Sequence, residues 1–173
     1  MSLDLQPILV GTHLRLRPVR AEDFDGLFVA ASDSRIWEQH PQPTRYQREV
    51  FQKYFDGALA SKGALVAEEL ASGALVGSSR YYDFHAAERR VSVGYTFLVC
   101  RCWGGAFNRD MKSLMLAHAF GAVEEVHFEV GETNYRSQTA IERMGAVLRD
   151  RRILDGNPHR LYVIKRREVL RSG

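Results

Sequence analysis

The chain has 173 residues, of which 45% are hydrophobic and 26% charged, with a formal net charge of +3 at pH 7. This length and balance favour one domain with a substantial core, so we expect a single domain across residues 1–173. No apolar run reaches the length of a membrane span and no signal-peptide pattern is present, which predicts a cytoplasmic protein with no membrane partner. Cys100 and Cys102 are too close for an ordinary structural disulfide and too few for a zinc site, so no metal is expected.

Hydrophobic periodicity divides the chain into alternating strands and helices. In chain order it predicts a strand over 13–19, helices over 21–31 and 45–60, strands over 64–69, 74–82 and 90–100, a helix over 107–120, a strand over 126–130, a helix from Asn134 to Gly145, and strands over 146–154 and 161–165. Residues 32–44 contain two prolines, which favours a loop or a broken helix. This order is typical of an α/β layer arrangement with a mixed sheet.

A glycine-containing turn connects the strand over 90–100 to the helix over 107–120. It reads Arg101-Cys102-Trp103-Gly104-Gly105-Ala106. A strand that opens through such a turn into a helix leaves backbone N–H groups unpaired at the positive end of the helix dipole. Glycine lets an anion approach the main chain and tolerates a positive φ. The turn is therefore either a phosphate-binding cradle or a tight connection that uses glycine for geometry alone.

The C-terminal part of the chain is basic. Residues 149–171 hold eight Arg or Lys against three Asp or Glu. This bias suits an acidic partner or a polyphosphate ligand, or it is a solvated strand surface. No aromatic-rich basic groove or helix-turn-helix pattern accompanies the charge, so nucleic acid is not the expected partner.

Motifs along nearly the whole chain resemble those of the GNAT superfamily of N-acetyltransferases, in particular its ribosomal-protein N-terminal acetyltransferase (RimJ/RimL-like) branch. The first matches are Leu14-Arg15-Leu16-Arg17-Pro18-Val19, Val76-Gly77-Ser78 and Val93-Gly94-Tyr95. Arg101-x-x-Gly104-x-Ala106 is similar to the signature for the pyrophosphate of coenzyme A, and Asn134-x-x-Ser137 with Met144-Gly145-Ala146 is similar to the second signature of the branch.

The resemblance implies an α/β (α+β) fold of the GNAT type. Its sheet is mixed and mostly antiparallel, with six to seven strands and about four helices, and it splays between the fourth and fifth predicted strands, over 90–100 and 126–130. The resemblance further implies acetyl-CoA as co-substrate, bound beside the split by main-chain and side-chain groups. The residues implied to bind it are Tyr95, Phe97, Leu98, Val99, Arg101, Trp103, Gly104, Gly105, Ala106, Phe107, Asn108, Asn134 and Ser137.

The catalytic groups of the family are only partly matched. Many members place a tyrosine seven residues after the Asn, where this chain has Ile141, so Ser137 is the remaining candidate to protonate the thiolate. A serine on a helix can equally bond a backbone carbonyl one turn back. Close relatives often carry a glutamate where this chain has Ser92, so no base is assigned there. Glu129 and His40 either remove the ammonium proton, directly or through water, or are surface residues.

The leading hypothesis is an acetyl-CoA-dependent N-acetyltransferase that acts on a primary amine, either a protein N-terminus or a small molecule. Trp37, His40, Tyr81 and Tyr82 are candidate walls of the acceptor site, or they simply complete the core. Because the expected tyrosine and glutamate are missing, the alternative is a non-catalytic acyl-CoA-binding sensor or scaffold. Dimers are common among the proteins that the chain resembles, so the resemblance allows a homodimer.

Overall fold

A computed structural model describes residues 2–166 as one twisted sheet covered by helices. The elements in chain order are β1 (Leu9–Val10), β2 (Leu14–Pro18), α1 (Phe24–Ala31), α2 (Arg48–Ser61), β3 (Ala64–Glu69), β4 (Leu75–His85), β5 (Arg90–Leu98), α3 (Ala106–Ala119), β6 (Glu125–Gly131), α4 (Tyr135–Glu142), β7 (Val147–Leu154) and β8 (Asn157–Lys165). The last residues of the basic C-terminal segment, 167–171, lie outside the described residues.

The sheet has eight strands in the order β1-β2-β3-β4-β5-β6-β8-β7. The prediction of six to seven strands was wrong because β1 is a two-residue edge strand, too short to show a periodicity. The α/β class and the four α-helices of the described chain agree with the prediction. Among the strand pairs within residues 2–166, only β5 with β6 is parallel, so the sheet is mixed and mostly antiparallel.

Helices cover both faces of the sheet. Two neighbouring residues of β3 pack on opposite faces of the sheet. Leu65 packs in the cluster that contains α3, whereas Val66 packs in the cluster that contains α1 and α2. Both side chains are fully buried. Because a strand alternates its side chains, burial on both sides makes such a segment apolar throughout.

The parallel ladder between β5 and β6 is short. It consists of three residue pairs, from Arg90 with Glu125 to Ser92 with His127. Beyond Ser92 the two strands pair no further, while β6 continues to pair with β8 as far as Gly131. The sheet therefore opens at this point, which is the splay expected between the fourth and fifth predicted strands.

A β-bulge lies in β5 beside this opening. Gly94 pairs with Arg80 and Phe97 pairs with Ser78. An advance of three residues along β5 is therefore matched by an advance of two residues along β4. The extra residue is accommodated at Tyr95, whose φ is +52°. The Tyr54 hydroxyl donates to the Tyr95 carbonyl oxygen at 2.6 Å and fixes this conformation.

The start of β2 is tied to α3 by one carboxylate. Asp110 accepts hydrogen bonds from the backbone amides of Thr12, His13 and Leu14, at 3.2, 2.8 and 2.9 Å. A Cβ built on Gly11 would lie 2.3 Å from a carboxylate oxygen of Asp110, so glycine is needed there for close approach. This contact holds α3 in place against the sheet.

Among residues 2–166, no helix is long and apolar enough to cross a membrane. The same part of the chain contains no group of three or more His, Cys, Asp or Glu residues arranged to hold a metal ion.

Candidate active site

The turn before α3 has the geometry of an anion-binding cradle. Gly104 has φ of +66°, a conformation that other L-residues adopt only with strain. Gly105 is the N-cap of α3 and offers no side-chain cap, so the first-turn amides of the helix are left for a ligand. Both glycines line an open cleft of about 1010 Å³ between α3 and α4.

Within the described chain, the wall of this cleft contains three arginines and one acidic residue, Glu142. Arg109, Arg136 and Arg143 all line it. The Arg136 guanidinium lies 3.7 Å from the centre of the Trp103 ring, a cation–π contact that holds it at the mouth of the cleft. Arginines beside a helix N-terminus provide a positive potential for phosphate groups.

Three of the residues expected at the cofactor have other partners, two through their side chains and one through its backbone amide. Arg101 forms a two-point ion pair with Glu69, at 2.9 Å for each contact, and its side chain lines none of the three cavities described here. Phe107 packs on the ring of His13, and the Val99 amide donates to the Val76 carbonyl. For Phe107 only the backbone amide in the first turn of α3 remains available to a ligand.

A second, smaller cavity of about 110 Å³ continues from the cradle into the split of the sheet. Its walls include Phe97, Leu98, Trp103, Asn108, Asn134, Ser137 and Ile141. The Trp103 indole donates to the Leu98 carbonyl at 2.9 Å, and the Asn134 side chain accepts from the Ser137 amide at 3.2 Å. Asn134 thus caps α4, as predicted, and the Ser137 side chain lies in the wall of the cavity.

Lys112 lies in the wall of the same cavity and was not identified from the sequence. It is 6% exposed, its ammonium donates to the Thr96 hydroxyl at 3.2 Å, and it lies 5.2 Å from the centre of the Phe128 ring. The Thr96 hydroxyl in turn lies 2.8 Å from that of Ser79. Burial lowers the pKa of Lys112 to about 8, which leaves it a proton donor at neutral pH and a ready proton acceptor above it. The available sequence signal was a lysine one turn before the buried Leu116 on an apolar helix face.

A third cavity, of about 520 Å³, lies on the other side of β5 and contains Tyr82, Tyr95 and Glu129 in its walls. Glu129 is ion-paired with Arg152 at 2.9 Å, and its second carboxylate oxygen is buried without a hydrogen-bond partner. Burial, and then the charge of Glu129, raise the pKa of Tyr82. Glu129, a candidate base, therefore lies in the wall of this cavity with one oxygen ion-paired and the other without a hydrogen-bond partner.

His40 lines both the second and the third cavity. Burial, together with the nearby Arg45 and His159, lowers its pKa to about 3. The imidazole is therefore neutral at physiological pH and a weak base, since its protonated form is disfavoured. The Gln42 amide donates to its Nδ1 at 3.0 Å. This geometry favours His40 as a wall between the two cavities over its expected role as a base.

The other expected acceptor walls divide between cavity and core. Trp37 lines the second cavity, but it is 1% exposed and its indole donates to the Ala31 carbonyl at 2.8 Å. Tyr81 is fully buried, its hydroxyl donates to the Met115 carbonyl at 2.7 Å, and it lines none of the three cavities. The structure thus supports the core interpretation for Tyr81, because alternation along β4 points it to the face covered by α3 while Tyr82 faces the third cavity.

A sheet that opens beside a helix N-terminus, with one cavity on each side of the split strand, is suited to present a phosphate-bearing donor to a second substrate. The family model for the acetyltransferase (GNAT) domain matches residues 13–147. The chain therefore belongs to the GNAT acetyltransferase family.

Solved structures share this fold. A GCN5-related N-acetyltransferase from Brucella melitensis matches with a TM-score of 0.84 at 19% identity, over 94% of this chain and 80% of that one. RimJ from Mycobacterium smegmatis, in complex with CoA-disulfide, matches with 0.77 at 19% identity, over 98% and 92%. Spermidine N-acetyltransferase from Vibrio cholerae, in complex with CoA and spermine, matches with 0.70 at 14% identity, over 91% and 98%. No curated protein matches the sequence. At these identities the fold is shared but the RimJ/RimL-like branch stays a prediction.

Proposed function

We propose that the protein is an acetyl-CoA-dependent N-acetyltransferase that transfers acetyl to a primary amine by direct attack. The observation that carries this proposal is the cradle at Gly104 and Gly105, which opens into a basic cleft that continues into the split of the sheet. The first-turn amides of α3 would bind the diphosphate, with Arg109 and Arg143 adding positive charge. The pantetheine arm would then run between β5 and α4, along Phe97 and Ser137.

The thioester of acetyl-CoA supplies an activated acetyl group. In the transfer, the lone pair of a neutral amine forms the new C–N bond and the C–S bond breaks. One proton leaves the amine nitrogen and one joins the thiolate sulfur, so the proton count balances. The catalytic task of the protein is to hold the two substrates in this geometry and to move that proton.

Lys112 and Ser137 are the proton donors available to the thiolate. Both lie in the wall of the second cavity together with Ile141, which occupies the place of the tyrosine in many relatives and cannot donate. We assign the larger part of this role to Lys112, because a buried ammonium both donates a proton and stabilises negative charge on sulfur. Glu129, on the acceptor side, would take the proton of the attacking amine.

The alternative is a sensor or scaffold that binds an acyl-CoA without turnover. Two residues favour this alternative. Ile141 in the cavity wall cannot replace the tyrosine hydroxyl of many relatives, and Ser92 cannot replace the glutamate carboxylate that close relatives often carry there. We regard the enzyme as the better proposal because Lys112 and Glu129 lie on opposite sides of the split strand, where the thiolate and the amine need them. We also propose a cytoplasmic location.

The test is release of free CoA thiol from acetyl-CoA in the presence of a panel of amines that includes amino acids, polyamines, aminoglycosides and peptides with free N-termini. The enzyme predicts release that depends on one class of amine. Saturable CoA binding with no release across the whole panel would instead support the sensor.

A further inference from the structure

Two arginines, one buried and one half-buried, form part of the third cavity. Arg80 on β4 is 7% exposed, and Arg45, from the loop before α2, lies beside it against the ring of Tyr54. The Arg80 guanidinium lies 4.0 Å from the centre of the Tyr95 ring. Burial lowers the pKa of both arginines, which shows that their surroundings disfavour the charge that they nevertheless carry.

Neither arginine has a carboxylate partner among residues 2–166. Arg80 donates only to the Tyr54 carbonyl, at 3.4 Å, and its Nε is buried with no partner. Among residues 2–166, the Arg45 guanidinium makes one side-chain hydrogen bond, at 3.3 Å to the His40 ring, and it also lies over the rings of Trp37 and Tyr54. Cation–π contacts with tyrosines compensate part of the lost hydration, but a buried guanidinium with most of its donors free is normally satisfied by an anion.

The acidic groups of this cavity do not supply that anion. Glu129 is held by Arg152, and Asp155 is an exposed residue of the turn between β7 and β8. Lys53, also in the wall, adds a further positive charge. The cavity therefore offers an excess of positive charge on its α2 side and, on its β6 side, the half-buried carboxylate of Glu129, one oxygen of which is buried without a hydrogen-bond partner.

We infer that the acceptor amine carries an anionic group, a carboxylate or a phosphate, which binds between Arg45 and Arg80 while its amino group lies toward Glu129 and the split of the sheet. This inference rests on the proposed acetyl transfer and specifies its substrate class. A zwitterionic small molecule matches the cavity at both ends, because the arginines bind its anion and the carboxylate receives its ammonium proton. Polyamines do not match it, since the two arginines repel additional positive charge.

The connection between the cavities fits this orientation. His40 lines both the second and the third cavity. Strand β5 contributes Tyr95 to the third cavity and Thr96 to the second. An amine held by its anionic group at Arg80 therefore reaches the thioester at the bulge, where β5 leaves β6.

The experiment compares matched acceptors in the thiol-release assay. Amino acids are paired with their carboxamides, O-phosphoethanolamine with ethanolamine, and spermidine is added as a polycation, with rates corrected for the fraction of neutral amine. We expect kcat/KM at least about tenfold higher for the anionic member of a productive pair, which is the size of effect of one charge-assisted hydrogen bond. Preference within the amino acid pairs assigns a carboxylate, and preference for O-phosphoethanolamine assigns a phosphate.

Arg80→Met removes the charge at similar volume. We expect it to lower kcat/KM for the anionic acceptor by about tenfold or more, with no change in the Kd for CoA and little change for the neutral partner. Arg80→Lys should restore part of the loss, and Arg15→Met, the same change on the exposed side of β2, should have no effect. Arg45→Met provides a second test if Arg80→Met fails to fold. Equal rates for anionic and neutral acceptors, or a preference for spermidine, overturn the inference and leave acetyl transfer intact.

A binding readout separates this inference from the proposed function. The CoA-loaded protein is titrated calorimetrically with the N-acetylated forms of the same pairs. Binding of the anionic product alone, lost in Arg80→Met, supports the inference even where no amine releases thiol. Equal binding of both members, or binding of neither, contradicts it.

Discussion

Gly104 is the residue at which the cradle is most directly tested. Its φ of +66° strains any β-branched side chain, and its place in the cleft wall means that a side chain would obstruct the approach of a phosphate to the backbone. We expect Gly104→Val to raise the Kd for CoA by about tenfold or more, measured by calorimetry, since two or more backbone hydrogen bonds are lost.

Gly73 provides a matched control for this substitution. It has φ of +71° in the turn between β3 and β4, with no atom within 4 Å of an added Cβ. Gly73→Val should cause a similar loss of stability from backbone strain but leave CoA affinity unchanged. An unchanged Kd in folded Gly104→Val would falsify the assignment of the cradle.

Lys112 predicts a characteristic dependence of stability on pH. Burial lowers its pKa to about 8 in the folded protein, whereas in the unfolded chain it titrates near the ordinary value of 10.5. The folded state therefore carries a free-energy penalty for the charged form of Lys112. This penalty is complete below pH 8 and disappears as the pH rises toward 10.5. We expect Lys112→Met to increase the free energy of unfolding by up to about 3 kcal/mol at pH 7, with a smaller gain at pH 10 in urea titrations. A gain that does not depend on pH would contradict this origin.

The same lysine should determine the alkaline limb of the pH–rate profile. If its ammonium protonates the thiolate, kcat falls as the pH rises through about 8. We expect Lys112→Met to lower kcat by about 100-fold, within the usual range for a general acid, and to remove this limb while the Kd for CoA changes little. A variant with unchanged kcat and the same limb would leave Lys112 as a structural residue.

Ser137 is the competing proton donor and calls for a separate measurement. We expect Ser137→Ala to lower kcat less than Lys112→Met does, because a neutral hydroxyl is the weaker acid. Its effect on the Kd for CoA should be smaller than its effect on kcat. Equal turnover of Ser137→Ala and the parent protein would show that the hydroxyl has no part in the proton transfer.

At the scale of elements, Asp110 connects the first turns of α3 with the start of β2. Removing its carboxylate leaves three backbone amides, those of Thr12, His13 and Leu14, without their acceptor. We expect Asp110→Ala to lower the free energy of unfolding by about 2 kcal/mol or more, measured in urea. Asp56→Ala, an exposed aspartate on α2 bonded to Gln52, is the control and should change it by less than about 0.5 kcal/mol.

The elements that sequence periodicity predicted well are those with a strong apolar stripe. The helix predicted over 107–120 agrees within a residue with α3, and the Asn134 cap of α4 is present. The predicted strand over 90–100 was two residues too long because Cys100–Cys102 form a 3-10 turn. The strand predicted over 161–165 begins instead at Asn157, since its first residues are ordered by pairing with β7 and not by an apolar pattern.

The site was predictable to the extent that local sequence determines it. The glycine turn before α3 has the positive φ that its residues suggested. Lys112, Arg45 and Arg80 were missed because a charged residue becomes informative only when the fold buries it, and burial comes from partners distant in the chain. The ion pair of Arg101 with Glu69 could not be predicted either, because the two residues are distant in the chain.

At the scale of the whole molecule, arginines in the described part of the basic C-terminal segment, residues 149–166, pair with acids of β6 and of the turn that follows. Arg149 pairs with Glu125 at 2.8 Å and Arg160 with Glu132 at 2.6 Å. We expect binding to single-stranded RNA or DNA to be weaker than about 100 µM at physiological salt, measured by fluorescence anisotropy. Tight binding that weakens steeply with added salt would contradict this and restore nucleic acid as a partner.

The single-domain organisation over 1–173 and a homodimer stay predictions at this scale. The described wall residues of the three cavities lie between Ile36 and His159.

The short ladder between β5 and β6 has a mechanical consequence. Strands β1 to β5 form one half of the sheet and β6 to β8 the other, and the halves meet along three residue pairs at one end. A ligand in the second cavity would lie between β5 and α4, the helix that follows β6, and would connect the two halves. We therefore expect amide hydrogen exchange in β6 to slow when CoA binds. Each release of product then removes this connection. The end of β6 that does not pair with β5 can then open locally before the next donor binds.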